Sequence, residues 1–374
     1  MSSSLSAQTW SITHPRPPLT DAPPLRPHLD VEDGSGVVHD GEVPLIIPDL
    51  VEALEQIAPG CVRTDVDMAT VSAWRIGGPA DVFVEPDAAE QVADVLRLMS
   101  QRPEPLLIIG ETTNLFFDSR GFRGVLLRIG SKLSRVSVDG NRVRAQAGAR
   151  VPELVRSLAD AGLGGIAHAG GVPGTIGGLV LMNGGSQRKG IGTHVVSVLV
   201  ADSTGQLQRL DAPALGFSYR HSRLQGSDVV ILDAELELEP GEPDALVAEI
   251  DEIIASRAAK FPLDLPNGGS VFLSDPAMYE IVGPPGHAIE SVGLKGLAEG
   301  GAQISPKHAN FIVNNGRATD DDVLRLVATA RNKVRAATGF TMDCEVRHVG
   351  TDGVLRPAHV VADERWPALD LTKG

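Results

Sequence analysis

Cysteine is nearly absent from this 374-residue chain: Cys61 and Cys344 are the only two, with no metal-ligand spacing and no disulfide framework. That usage fits a reducing compartment, so a cytoplasmic protein without a metal site is expected. No apolar stretch is long enough to span a bilayer, and the N-terminus lacks a charged segment followed by an apolar core, so no membrane association is expected. Basic residues are outnumbered: 33 Lys and Arg stand against 48 Asp and Glu, a formal net charge of -15 with no basic stripe to offset it. Phosphate backbones need clustered cations, which excludes a general nucleic-acid binder but leaves room for a local anion site. A P-loop is missing, and so is G-x-G-x-x-G within a strand–helix unit, which argues against a Rossmann or P-loop nucleotide site.

Glycine is abundant in one place. From Gly164 to Gly185 the chain reads GGIAHAGGVPGTIGGLVLMNGG, nine glycines in 22 residues. Such density implies backbone at positive φ or backbone approaching a ligand too closely for a Cβ. Flexible linkers are polar, whereas this segment carries Ile166, Val172, Ile176, Leu179, Val180, Leu181 and Met182, so a buried, ligand-facing loop is favoured. Bare N–H groups there would suit a phosphate.

A hydrophobic share of 42% over this length supports two or three domains. Residues 1–48, with prolines at 15, 17, 18, 23, 24, 27, 44 and 48 and no sustained apolar period, read as a disordered or loosely docked arm. From 49 to 130, strand and helix signals alternate, including VFVEP, a helix at Ala88–Met99, PLLIIG and GVLLRIG. A second unit over 131–241 opens with a hairpin at Asp139-Gly140 and continues through a helix at Val151–Ala161, the glycine segment and three more strands. A third, 242–350, begins with an amphipathic helix at Ala245–Ala259 and ends with a helix capped by Thr319 and stopped by Gly339. Residues 351–374 read as a tail.

The motifs RIGGPADVFVEP (75–86), GETTN (110–114), GFRGVLLRIG, GVPGTIGG followed by MN, YRHS (219–222), GGSVF (268–272), GLKG, GGAQISPKHANFIVN and EVRHVG (345–350) run in an order that resembles the UDP-N-acetylenolpyruvoylglucosamine reductase (MurB) family from about Asp65 to Gly350. The short link between YRHS and GGSVF is similar to the compact second type of that family. The resemblance implies an α+β fold: a two-part FAD-binding region of the vanillyl-alcohol-oxidase (PCMH) type, followed by a MurB-like C-terminal α/β substrate domain. It also implies reduction of FAD by NADPH. Hydride then passes to C3 of an enolpyruvyl ether on a UDP-sugar and a proton to C2, giving UDP-N-acetylmuramate for peptidoglycan synthesis.

This chemistry needs an acid near C2 and positive charge near the carboxylate. Ser270 matches the family's proton donor, Arg220 its active-site arginine and Glu345 its active-site glutamate; alone, each would read as a turn hydroxyl, a surface charge and half a salt bridge with Arg347. Lys260 matches a substrate-facing lysine, though a lysine ending a helix also suits the dipole. Lys307 and His308 are either substrate contacts or a solvated turn. For FAD the resemblance selects Arg75, Gly77 and Gly78; Gly110, Glu111, Thr112, Thr113 and Asn114; Gly170, Gly171, Val172, Pro173, Gly174, Thr175, Gly177 and Gly178; and Asn183.

The chain departs from the pattern near the flavin. Thr112 stands where the family has a glycine, so the loop there either avoids positive φ or is rearranged. The run after Asn183 reads Gly-Gly-Ser-Gln-Arg and has lost a tyrosine, and an acidic residue before the glycine run is replaced near Ala167. No histidine occupies the position used for covalent tethering, so noncovalent FAD is expected. The alternatives are a paralogous flavin reductase for another enolpyruvyl or unsaturated acid in secondary metabolism, and a noncatalytic protein that kept the fold. A monomer is expected.

Overall fold

The computed structural model describes residues 48–367, so the arm expected over 1–48 lies, apart from Pro48, outside the described residues, as do residues 368–374. A helix at Pro48–Ile57 leads into a four-stranded sheet in the spatial order Val62–Asp67, Pro79–Val84, Phe122–Arg128, Leu106–Ile109. The last three strands are mutually parallel, and such strands need both faces covered. The helix Ala89–Met99 supplies one cover by burying Val92, Val95, Leu96 and Met99, an i, i+3, i+4, i+7 stripe.

The next sheet is antiparallel throughout, in the order Leu207–Asp211, Val195–Asp202, Val229–Glu237, Arg142–Gln146, Val136–Asp139. Its hairpin differs by one residue from the sequence expectation. Asp139 pairs with Arg142 inside the ladder, and the turn is Gly140-Asn141, because Gly140 takes the left-handed φ of +59° that the tight connection needs. The helices Val151–Asp160 and Ile176–Leu181 complete this layer.

The helix Pro243–Lys260 then packs on Val151–Asp160 and leads to the C-terminal part. There Asp320–Thr338 is closed by a capping box between Thr319 and Asp322 and ended by Gly339 at φ +79°. It buries Val323, Val327, Ala330 and Val334 against a core that also takes in Trp74, Ile76 and Phe116 from the first part of the chain. Trp74 is fully buried and donates Nε1–H to the Ile312 carbonyl at 3.1 Å. Residues read as a tail carry a strand at Leu355–Pro357 and a helix at Ala358–Arg365 that packs on Asp320–Thr338. The apolar stripe Ala358, Val361, Ala362 is too short to stand out in sequence.

A small sheet joins distant parts of the chain: Leu115–Phe117 runs parallel to Arg347–Val349, which pairs with Leu355–Pro357. Beneath it, buried His348 Nε2 lies 3.0 Å from Asp320 Oδ2. Arg365 donates to Asp320 at 2.9 Å and to Asp118 at 3.1 Å, and Arg120 also binds Asp118. Burial pushes the Asp320 carboxyl up, but the bonds from His348, Ser119 and Arg365 outweigh it and hold Asp320 well below the usual carboxylate range. Asp118, Asp320 and His348 cluster like metal ligands, yet their charge is already met by two arginines, the chemistry of an ion network.

Candidate active site

A cavity of about 750 Å³ is lined by residues of the first two sheets, the loops around them and the C-terminal part. The loop Gly110–Asn114 and the residues Val172–Thr175, Gly177 and Gly178 line it, and so do Arg220, Ser270 and Glu345. Two sequence motifs and all three candidate catalytic side chains therefore meet, although 125 positions separate Arg220 from Glu345 in the chain. A smaller cavity of about 360 Å³ is lined by Tyr219, Asp275, Thr341 and Asp343 and shares Arg220, Gln225, Glu345 and Arg347 with the larger one.

Arg220 Nε lies 3.4 Å from Glu345 Oε1, an ion pair outside hydrogen-bond geometry, and its Nη2 donates to the Gly185 carbonyl at 2.7 Å. Its backbone is left-handed at φ +54°. Burial pushes the Glu345 carboxyl above the ordinary range and Arg220 offsets this only in part. A glutamate so placed retains a proton more readily than a solvated one. Ser270 follows Gly269, which takes φ +75°, and Gly268, where a Cβ would sit 2.6 Å from the Trp74 ring. The serine turn is thus laid directly on a tryptophan face.

The loop Gly110–Asn114 takes one of the two conformations that its sequence left open. Thr112 has positive φ at +53°, so the loop does not avoid that region. The buried hydroxyl accepts a hydrogen bond from the Ala73 N–H at 3.0 Å, which holds a β-branched residue where glycine would sit without strain. Asn114 joins this loop to the segment that leads into Arg347–Val349: its Nδ2 donates to the Glu345 carbonyl at 3.1 Å, and its own carbonyl accepts from Arg347 N–H at 3.0 Å. Glu111 is paired with Arg128 at 2.7 Å.

Other expected site residues lie away from the cavity wall. At Gly77 a Cβ would meet Phe117 at 2.8 Å, and at Gly78 the Ser119 carbonyl at 2.3 Å, so packing accounts for both glycines. Arg75 is exposed. Gly170 and Gly171 give way to Ile250 and Arg257 of the Pro243–Lys260 helix. Asn183 acts one step back, donating to the Ser218 carbonyl at 2.7 Å and accepting from Gly192 at 2.9 Å, which fixes the approach to Arg220. Lys260 is exposed, and Lys307 Nζ caps the same helix by donating to the Ala258 carbonyl at 2.6 Å. His308 stacks edge-on to Phe261 and Phe311 at 5.1 and 5.2 Å, and burial lowers its basicity.

Among the cavity residues that the sequence reading did not place there are Arg257, Phe261, Gln225 and Arg347. A signal for Arg257 existed. It falls seven residues after buried Ile250 and four after buried Ile253, so a cation occupies the apolar stripe of its helix.

Comparison with known proteins places this architecture. An FAD-binding domain matches residues 80–211, and the UDP-N-acetylenolpyruvoylglucosamine reductase C-terminal domain matches 261–349. UDP-N-acetylenolpyruvoylglucosamine reductase 1 of Corynebacterium glutamicum is 54% identical over 83% of this chain and 93% of its own. The chain belongs to the UDP-N-acetylenolpyruvoylglucosamine reductase family. The reductase of Heliobacterium modesticaldum is 38% identical over 76% of the chain and 90% of its own length. The crystal structure of the Thermus caldophilus reductase superposes with a TM-score of 0.65 at 26% identity, covering 77% of this chain and 99% of that one. The fold is therefore an FAD-binding region followed by the MurB-type C-terminal domain.

The cavity fits FAD on its own geometry. It is large enough for a dinucleotide-sized ligand, Gly174 at φ +120° and Gly110 leave bare backbone along it, and a Cβ at Gly110 would crowd Thr175 Oγ1 at 3.0 Å. Among the described residues no helix is long and apolar enough to cross a membrane.

Proposed function

We propose that this chain reduces the enolpyruvyl ether of UDP-N-acetylglucosamine enolpyruvate to the lactyl ether of UDP-N-acetylmuramate, with NADPH as reductant and noncovalent FAD as carrier. The observation that carries this reading is the convergence of Arg220, Ser270 and Glu345 on one cavity with the two glycine-bearing loops. When bound, FAD would accept a hydride from NADPH and release it to C3 of the ether. Gly110–Asn114 and Val172–Gly178 would hold its phosphates through backbone N–H groups. Arg220, in the wall common to both cavities, pairs with the substrate carboxylate and meets the charge that grows on it. Ser270 delivers the proton to C2. Glu345 keeps the acid end of this relay charged with a proton and holds Arg220 in place. The smaller cavity, open past exposed Tyr219, takes the sugar nucleotide.

The test is anaerobic reduction of the purified holoenzyme by NADPH, followed by addition of UDP-N-acetylglucosamine enolpyruvate. Rapid reoxidation is expected, and a flavin that stays reduced defeats the substrate assignment. In S270A, reoxidation by substrate should slow by about 10²-fold or more while reduction by NADPH survives. Equal loss of both half-reactions would remove Ser270 from the donor role. Denaturation should release the yellow chromophore into solution, whereas colour retained on the precipitated chain would contradict noncovalent binding.

A further inference from the structure

One cation in the large cavity has neither an ionic nor a hydrogen-bond partner among the described residues. Arg257 lines that cavity, and its side chain makes no ion pair and no hydrogen bond among the described residues; its Nε is enclosed without a partner. Every other guanidinium there is engaged: Arg220 with Glu345 and Gly185, and Arg347 with Gln225 at 3.3 Å. A half-buried charge whose Nε is enclosed without a partner is costly and persists where something else repays it. Burial and the neighbouring Arg220 both lower the basicity of Arg257, which also places it at the reactive end of the cavity.

The side chain is held rigidly. Its Cζ stands 5.1 Å from the centroid of Phe261, which stacks on Phe311 at 4.9 Å, and a Cβ at Gly171 would touch Arg257 Cδ at 2.5 Å. Backbone of the glycine segment on one side and an aromatic block on the other thus fix the guanidinium before any ligand arrives.

The cavities narrow the choice of anion. Arg220 and Arg347 border both, whereas Arg257 borders only the larger. The substrate carboxylate is already matched to Arg220, and the glycine loops already serve the cofactor phosphates. What remains at this end is the flavin ring. A hydride brings two electrons and one proton to the neutral ring, which gains one negative charge and loses it when the hydride leaves for the substrate carbon. We propose that Arg257 is the counter-charge to the reduced flavin ring, a residue that sets the reduction potential and does not anchor the cofactor. This rests on the FAD reading given above. It also accounts for His308, whose ring braces Phe261 and so acts one layer behind Arg257.

The experiment compares wild type, R257Q and R257K as FAD-loaded proteins. Midpoint potentials are measured against a reference dye, and sulfite, whose adduct leaves negative charge on the ring, serves as a probe independent of turnover. In R257Q the preference for the reduced ring should fall about tenfold, which lowers the potential by about 30 mV for a two-electron couple. Its sulfite dissociation constant should rise about tenfold or more, and R257K should recover most of both. Unchanged potential and sulfite affinity in R257Q overturn the proposal. So does a higher KM for NADPH at constant potential, which would assign Arg257 to a dinucleotide phosphate. Failure of both variants to hold FAD overturns it as well, since Arg257 would then be an anchor. A wild-type protein without flavin would defeat the function proposed above, a result visible before any variant is made.

Discussion

Thr112 gives the sharpest test of how the loop Gly110–Asn114 is built. Its φ of +53° places a Cβ, branched at that, in a region where L-residues are disfavoured by about 1–2 kcal/mol. Against this stands the hydrogen bond from the Ala73 N–H, worth about 1 kcal/mol, with a somewhat larger cost if the donor is left without a partner. T112G releases the strain but loses the bond and adds about 0.5–1 kcal/mol of backbone entropy in the unfolded chain, so its stability should stay within about 1 kcal/mol of wild type. T112A keeps most of the strain and still loses the bond, so it should be destabilised by about 1–2 kcal/mol. The order glycine above alanine reverses the usual one, and that inversion is the signature. Urea unfolding of the apo and FAD-saturated proteins, followed by tryptophan fluorescence, would report it; at this chain length a 1 kcal/mol change moves Tm by about 2 °C. An alanine variant more stable than the glycine variant in both states would mean that residue 112 is not held left-handed, and the account of this loop would fail.

Three further outcomes follow from the same geometry. G268A drives a Cβ to 2.6 Å from the Trp74 ring, and because that ring is bonded to Ile312, overpacking should cost about 1–3 kcal/mol and move Ser270, slowing substrate-driven reoxidation more than NADPH-driven reduction. Equal rates of reoxidation in G268A and wild type would refute the seating of the serine turn. Burial, with His194 and Lys189 nearby, lowers His168 to about 4, and neither ring nitrogen has a partner in hydrogen-bond geometry. Its folded pKa lies below the unfolded 6.5, so the unfolded chain takes up the proton first and stability falls by up to about 3 kcal/mol as pH drops from 6.5 to 4. Chemical unfolding across that window should show a flatter profile in H168L; parallel profiles would clear His168 of the effect. D320N leaves Arg365 and His348 facing a weakened partner and should destabilise the fold by about 3–5 kcal/mol, read by urea midpoint, whereas a loss under 1 kcal/mol would show that the ion network is dispensable.

Periodicity and caps made the elements legible. The helix after Thr319 carries its start and stop in Thr319, Asp322 and Gly339, and the structure reproduces both. The candidates Ser270, Arg220 and Glu345 stood out only because neighbouring motifs outweighed the ordinary reading of a lone serine, arginine or glutamate. At Gly77, Gly78, Gly170 and Gly171 a neighbouring residue alone accounts for glycine, and such a glycine looks the same in sequence as one demanded by a ligand. Lys307, read as either a substrate contact or a solvated turn, donates to the Ala258 carbonyl at a helix end. The pairing of Leu115–Phe117 with Arg347–Val349 leaves no local trace at all, because parallel register depends on contacts made across most of the chain.

That pairing also governs the order in which the protein is made. Asn114 closes its bond to the Glu345 carbonyl across 231 positions of sequence, so the loop Gly110–Asn114 lacks this support until the C-terminal strand leaves the ribosome. Non-local closure of this kind is slow and comes late. On the function proposed above, flavin capture would belong to the end of folding, and a nascent or C-terminally truncated chain would be spared a half-built redox centre.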